Sequence, residues 1–150
     1  MPPTRLTSAL KRGSELLAHV QDGAGAIARK HHQLIARDQI RRIGDSLDLD
    51  AATRAGREQE HRWDYLVSLP DADKLVAIEP HTASDKEIRV VLEKKNNATR
   101  VLREELRDGV SVASWHWVTT KVAFSRMEPA RRVLDQNGIK FHGKLIRSLE

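Results

Sequence analysis

Two short apolar segments that flank a turn constrain the fold of this chain more than any other feature. Residues 63–69 are rich in aromatic and β-favouring side chains and end at Pro70, which suits a strand followed by a turn. A polar stretch follows, and residues 75–81 form a second apolar run of strand length. The pattern predicts an antiparallel β-hairpin formed by these two segments.

The segments after the hairpin alternate between helix and strand. Apolar residues at three- and four-residue steps predict a long helix over residues 85–107, which packs on the sheet. Its apolar face consists of Ile88, Val91, Leu92, Ala98 and Leu102. Strands are predicted over residues 110–118 and 139–146, with a helix over residues 128–137 between them. We therefore expect an α/β fold with a mixed central sheet and flanking helices.

The N-terminal part of the chain is predicted to be helical. Apolar residues recur with helical spacing over residues 6–20 and again over residues 27–43, and a third, short helix is predicted to begin near residues 46–48. We therefore expect a single domain that covers all 150 residues. It would consist of a helical N-terminal layer over residues 1–60 and an α/β core over residues 61–150.

Composition narrows the classes of function. No continuous apolar run approaches the roughly 20 residues that a membrane-spanning helix needs, and the first residues lack the apolar run of a secretory signal. The absence of cysteine excludes disulfides, thiolate zinc sites and a cysteine nucleophile. We therefore expect a soluble, cytoplasmic protein that does not bind a membrane.

The distribution of charge indicates a class of partner. The net charge is +5, and basic residues outnumber acidic ones at both ends of the chain, whereas residues 63–109 are net acidic. Cations that hold phosphate beside carboxylates that hold a metal ion are typical of a nuclease, although a charge of this size is also ordinary for a soluble protein. We expect DNA or RNA as the partner. The candidate nucleic-acid-binding residues are Arg29, Lys30, Arg37, Arg41 and Arg42.

Three ionisable residues mark the open end of the predicted hairpin. Glu79 and His81 are two residues apart, so in a strand both side chains point to the same face. Asp64 begins the preceding strand, and hairpin pairing brings the start of one strand beside the end of the next. Two carboxylates beside an imidazole suit a hard divalent cation such as Mg²⁺ or Mn²⁺. In the alternative, purely structural interpretation, Asp64 caps a turn and Glu79 forms an ion pair with a nearby Lys or Arg.

Asp64 followed by the triplet Glu79-Pro80-His81 resembles the PD-(D/E)XK, or restriction-endonuclease-like, nuclease superfamily. That superfamily places an Asp on one strand of a hairpin and a (D/E)-x-K triplet on the next strand. The resemblance implies a restriction-endonuclease-like fold and Mg²⁺- or Mn²⁺-dependent hydrolysis of phosphodiester bonds in DNA or RNA. It also implies that Asp64 and Glu79 are metal ligands.

This chain departs from the superfamily pattern because His81 stands where the motif has lysine. The resemblance then implies that His81 orients the attacking water or serves as a third metal ligand. Lys94 or Lys95, in the following helix, would supply the missing lysine as a supporting catalytic residue. The departure also leaves open a degenerate domain without catalytic activity.

Two further alternatives stay open at this point. Glu93-Lys94-Lys95 is itself a Glu-x-Lys triplet and would be the catalytic one if residues 87–95 formed a strand, although the apolar spacing favours a helix. The alternative function is a non-catalytic nucleic-acid-binding or protein-interaction domain that uses its basic helices as the contact surface. A homodimer formed through the N-terminal helices is also compatible with the sequence.

Overall fold

The computed structural model describes residues 4–150 and has a six-stranded mixed sheet at its centre. The strands of the chain are β1 (Val20–Asp22), β2 (Asp45–Asp48), β3 (Tyr65–Leu69), β4 (Lys74–Pro80), β5 (Ala83–Ser84), β6 (Val112–Val118), β7 (Val122–Ala123) and β8 (Ile139–Phe141). The α-helices are α1 (Leu6–Ala9), α2 (Arg29–His32), α3 (Arg37–Ile40), α4 (Leu49–Ala52), α5 (Asp85–Glu105) and α6 (Met127–Gln136). Two short 3₁₀ helices cover Glu15–His19 and Pro70–Ala72.

The strand order in the central sheet is β1-β2-β3-β4-β6-β8. Strands β1 to β4 pair with one another in antiparallel order, whereas β6 runs parallel to β4 and β8 runs parallel to β6. Parallel neighbours need a crossover connection, and α5 and α6 supply the two helices for it. Strands β5 and β7 form a separate parallel pair. The predicted mixed α/β fold with flanking helices is confirmed.

The predicted hairpin is also confirmed. In the β3–β4 ladder Tyr65 pairs with Ile78 and Leu69 pairs with Lys74. The connection contains one 3₁₀ turn that begins at Pro70, whose fixed φ suits this position, and it ends at Asp73 with φ 52°. Asp is among the few residues other than glycine that tolerate this left-handed conformation. The turn residues therefore set the register that aligns the two strands.

The N-terminal sixty residues differ from the predicted helical layer. Their α-helices are single turns of four residues each, and β1 and β2 belong to the central sheet. Leu47 pairs with Val20 on one side and with Leu66 on the other, so this segment extends the sheet of the core. Pairing with β3 outweighs the weak local preference of β2, because tertiary contacts decide strand formation in short segments. The short helix predicted near residues 46–48 begins at Leu49, with the Asp48 side chain as its N-cap.

Each face of the sheet is covered by its own apolar core. One face carries α5, whose buried residues Val91, Ala98 and Leu102 lie against strand residues such as Leu66 and Ala77. Full burial of one aliphatic side chain of this size contributes roughly 1.5–3 kcal/mol. The opposite face packs against the segments that contain α2 and α3 and against the C-terminal residues. The helix predicted over residues 85–107 is thus confirmed, and the alternative of a strand over residues 87–95 is wrong.

The two later strands, β6 and β8, are shorter than predicted, whereas α6 has the predicted length. Strand β8 ends at Phe141, because the chain turns at Gly143, where φ is 67°. Residues beyond this turn run against the other face of the sheet, where Ile146 forms an isolated parallel bridge with Ile35. Among residues 4–150, none of the helices combines the length and the apolar character that crossing a membrane requires.

Candidate functional site

Asp64 and Glu79 face each other across the hairpin at one end of the sheet. Because Tyr65 pairs with Ile78, the next position along the ladder places Asp64 opposite Glu79. The backbone N–H of Asp64 donates a hydrogen bond to Oε1 of Glu79, with 2.9 Å between the two atoms. The Glu79 side chain is completely buried, whereas 26% of the Asp64 side chain is exposed. The structure therefore brings together the two carboxylates of the sequence pattern.

Lys94 of α5 supplies the cation of this site. Its Nζ donates a hydrogen bond to Oε2 of Glu79 at 2.5 Å and lies 4.0 Å from Oδ1 of Asp64. Lys94 follows Val91 by three residues and precedes Ala98 by four, so it lies on the helix face that packs on the sheet. The packing of α5 thus directs the ammonium group to the end of β4.

His81 completes the cluster from the end of β4. Its Nδ1 lies 3.5 Å from Nζ of Lys94 and 3.5 Å from Oε2 of Glu79. Its Nε2 is 2.9 Å from Oε2 of Glu87, which lies in the first turn of α5. The structure therefore gathers Asp64, Glu79, His81 and Lys94 into one group of contacting side chains.

Glu87 is the member of this group that the sequence reasoning missed. It lies seven residues before Lys94 and four before Val91, so all three residues share one face of α5. This spacing was the available signal, because a carboxylate on the helix face that bears Lys94 is directed toward the same part of the sheet. The sequence alone did not show that His81 would turn its ring toward that face.

Burial dominates the electrostatics of the site. Desolvation raises the pKa of Asp64 to about 6, although Lys94 opposes this shift. Burial, together with the neighbouring Asp64, also raises the pKa of Glu79 well above its usual range. Desolvation lowers the pKa of His81, which favours the neutral imidazole. Two carboxylates share one ammonium group, so a bound proton or a second cation is needed to balance their charge.

The donor set fits a hard divalent cation held by two protein ligands. Carboxylate oxygens suit Mg²⁺ and Mn²⁺, and each oxygen of Glu79 keeps a lone pair beyond its hydrogen bond. Among residues 4–150 there is no group of three or more His, Asp or Glu side chains arranged to hold a metal ion. A cation at Asp64 and Glu79 would therefore complete its coordination with water or substrate oxygens, as Mg²⁺ commonly does.

The structure separates Lys95 from the carboxylates. Its ammonium group donates a hydrogen bond to the backbone carbonyl of Asn137 and lies 5.6 Å from the centre of the Trp115 ring. Glu93, two residues before Lys95, forms ion pairs with Arg89 and His61 on the outer side of α5. Of the two lysines considered from the sequence, Lys94 is the one that reaches the site.

Most of the basic residues singled out in the N-terminal segment are exposed. Arg29, Arg37 and Arg41 line a surface cleft of about 670 Å³, and Lys30 is exposed beside them on α2. Arg42 differs, because its guanidinium is paired with Asp71 at 2.9 Å and with Glu150 at 2.6 Å. Arg42 therefore holds the C-terminal residue against the β3–β4 turn instead of presenting its charge to solvent.

A second cleft contains one residue of the site, His81. It has a volume of about 390 Å³ and is lined by His31, His81 and Lys121, together with several threonines from the ends of β4 and β6. Helix α2 contributes Arg29 and His32 to the first cleft and His31 to the second. Helix α2 thus lines both clefts, and His81 is the one of the four clustered side chains that lines the second cleft.

Comparisons with protein-family models, with curated proteins and with solved structures give no match to this chain. A functional assignment therefore depends on the contacts among Asp64, Glu79, His81 and Lys94 and on the charges around them.

Proposed function

We propose that this protein is a metal-dependent nuclease that hydrolyses phosphodiester bonds in DNA or RNA. One observation carries the proposal: Asp64 and Glu79 face each other across a hairpin, and Lys94 reaches the buried Glu79 with 2.5 Å between Nζ and Oε2. A purely structural ion pair needs one carboxylate for one ammonium. The second carboxylate, with its raised pKa, indicates a site built to receive a further cation.

The topology supports the restriction-endonuclease-like part of the proposal. An Asp precedes β3, a Glu-x-His triplet ends β4, and the helix α5 then leads to β6, which runs parallel to β4. This order agrees with the hairpin motif and the following helix and strand of the PD-(D/E)XK pattern. His81 replaces the lysine of that pattern, but Lys94 of α5 brings an ammonium group to the same place, beside Glu79.

The proposed roles follow from the chemistry of each group. Asp64 and Glu79 would hold Mg²⁺ or Mn²⁺, which when bound polarises the phosphate and lowers the pKa of a water molecule. Lys94 lies where its ammonium group can donate to a phosphate oxygen as negative charge develops. The neutral imidazole of His81 presents Nδ1 beside that ammonium group. The exposed Arg29, Lys30, Arg37 and Arg41 would bind neighbouring phosphates.

The test is a cleavage assay with plasmid DNA and with a labelled RNA, in the presence of Mg²⁺, Mn²⁺ or EDTA. We expect cleavage that depends on the metal ion and falls roughly 100-fold or more in Asp64→Asn and Lys94→Met. Glu93→Ala is the matched control, because it removes a carboxylate from the outer side of α5 and should change the rate by less than about twofold.

Two outcomes would count against this function. Cleavage that persists in EDTA or in Asp64→Asn would contradict the proposed metal site. Binding of Mn²⁺ without cleavage of any nucleic acid would instead favour the alternative, a non-catalytic nucleic-acid-binding or protein-interaction domain. The specific observation behind that alternative is the His81 side chain at the position of the motif lysine.

A further inference from the structure

The contact between Glu87 and His81 has no counterpart in the sequence pattern that led to the site. Oε2 of Glu87 lies 2.9 Å from Nε2 of His81, and 23% of the Glu87 side chain is exposed. The hydrogen bond from His81 lowers the pKa of Glu87, so its carboxylate stays ionised at neutral pH. Glu87 is therefore an anionic acceptor at the edge of the cluster.

The contacts on the two sides of the ring assign the same tautomer to His81. Lys94 carries an ammonium group, which donates hydrogen bonds and cannot accept them. Nδ1 of His81 lies 3.5 Å from both Nζ of Lys94 and Oε2 of Glu79, but only the contact with Lys94 has hydrogen-bond geometry, so Nδ1 presents its lone pair to Lys94. A neutral imidazole then carries its proton on Nε2, the atom that faces the carboxylate of Glu87.

The backbone of His81 is held independently of its ring. Its N–H donates to the carbonyl of Val118, and its own carbonyl accepts a hydrogen bond from Nε1 of Trp117, both at 3.0 Å. Pro80 precedes it and has a fixed φ. The remaining freedom lies in the side-chain torsions, and the hydrogen bond to Glu87 is the shortest of the polar contacts that restrict them.

We infer that Glu87 is a positioning residue, which accepts the Nε2–H of His81 and thereby holds Nδ1 toward Lys94 and fixes Lys94 beside Glu79. The catalytic role of Glu87 rests on the proposed nuclease function, whereas its role in orienting the His81 ring does not. Loss of a carboxylate that orients a functional imidazole commonly lowers activity or ligand affinity by about 10–100-fold. Because Glu87 and Lys94 lie on one face of α5, docking of this helix assembles both contacts together.

The first test is a proton–nitrogen correlation spectrum of the histidine rings in protein labelled with nitrogen-15. We expect the wild type to show an Nε2–H resonance for His81 that is protected from exchange with solvent. Glu87→Ala should abolish this resonance, whereas Glu87→Gln should retain it, because the amide oxygen can accept the same proton. Glu93→Ala serves as the control on the same helix, and circular dichroism verifies that each variant is folded.

The second test is steady-state cleavage of the nucleic acid that the wild type hydrolyses. We expect Glu87→Ala to lower kcat by about 10–100-fold with little change in KM, and Glu87→Gln to restore most of kcat. A wild-type ring protonated on Nδ1, or an Nε2–H resonance that Glu87→Ala leaves unchanged, would overturn the inference. If the resonance behaves as expected but no nucleic acid is cleaved, the positioning of His81 stands and the nuclease function fails.

Discussion

Lys94 forms an ion pair with Glu79, which precedes it by fifteen residues in the sequence. Its ammonium group lies 2.5 Å from an oxygen of the fully buried Glu79 carboxylate. Such a buried pair is stable only when its geometry offsets the loss of hydration, and removal of one partner leaves a buried charge. A proton on Glu79 avoids that charge, and a metal ion at the proposed site would balance it. The stability of the fold should therefore depend on the protonation of Glu79 and, under the proposed function, on a bound metal ion.

Lys94→Met should destabilise the protein more at high pH than at low pH. Without the ammonium group the pKa of Glu79 rises further, so the folded state binds a proton that the unfolded state releases. At pH values below the ordinary pKa of glutamate, the raised pKa of Glu79 makes its full contribution to the stability of the folded state. That contribution is lost as the pH rises through the pKa of Glu79 in the folded state. We expect urea unfolding to give a loss of about 3–5 kcal/mol near pH 9 and a smaller loss near pH 5. Lys95→Met is the control, and an equal loss at both pH values would contradict this account.

The sequence carried enough information to predict the hairpin and its pair of carboxylates. Alternation places every second residue of a strand on one face, and the turn at Pro70 fixes which positions of the two strands face each other. These two local rules are enough to predict that Asp64 and Glu79 lie opposite each other in the hairpin. The apolar stripe of α5 likewise follows from helical periodicity alone.

The parts that could not be predicted depend on tertiary contacts. Adjacent residues on a helix differ in direction by about 100°, so whether Lys94 or Lys95 reaches the site depends on the rotation at which α5 packs. Strand β2 has only one apolar residue, Leu47, and forms because β1 and β3 pair with it on both sides. The ring orientation of His81, and with it the contact to Glu87, is set by the same packing of α5.

The buried pair His116 and His142 should make the protein sensitive to acid. Nδ1 of His116 lies 2.6 Å from Nε2 of His142, and burial lowers the pKa of His116 to about 3 and that of His142 to about 4. As the pH falls, the two histidines are protonated in the unfolded state before they are protonated in the folded state. Their contribution to stability is therefore complete above about pH 6.5 and is lost as the pH falls toward their pKa values in the folded protein. We expect the free energy of unfolding, measured with urea, to fall steadily as the pH is lowered from about 6.5 to about 4.

A variant pair checks this acid sensitivity. His142→Gln should flatten the pH profile because the amide cannot be protonated in this range, whereas a matched change at the exposed His19 should leave the profile unchanged. An unaltered slope in His142→Gln would show that other groups cause the acid lability.

Binding of nucleic acid should depend on exposed arginines and not on the paired one. Arg37→Glu combined with Arg41→Glu should weaken binding and reduce the slope of log Kd against log salt by about 2, since each phosphate contact releases about one counterion. Arg42→Ala should leave that slope unchanged and lower the free energy of unfolding only slightly, because the ion pairs that it breaks with Asp71 and Glu150 are screened by solvent. A slope that does not respond to the double charge reversal would indicate a different contact surface.

Titration calorimetry with Mn²⁺ tests most directly whether Asp64 and Glu79 hold a divalent cation. The measurement compares the wild type with Asp64→Asn at neutral pH, and a circular dichroism spectrum verifies that both are folded. We expect one Mn²⁺ site in the wild type, release of protons on binding because both carboxylates have raised pKa values, and at least about tenfold weaker binding in Asp64→Asn. Equal affinity in the two proteins, or no binding by the wild type, would contradict the account.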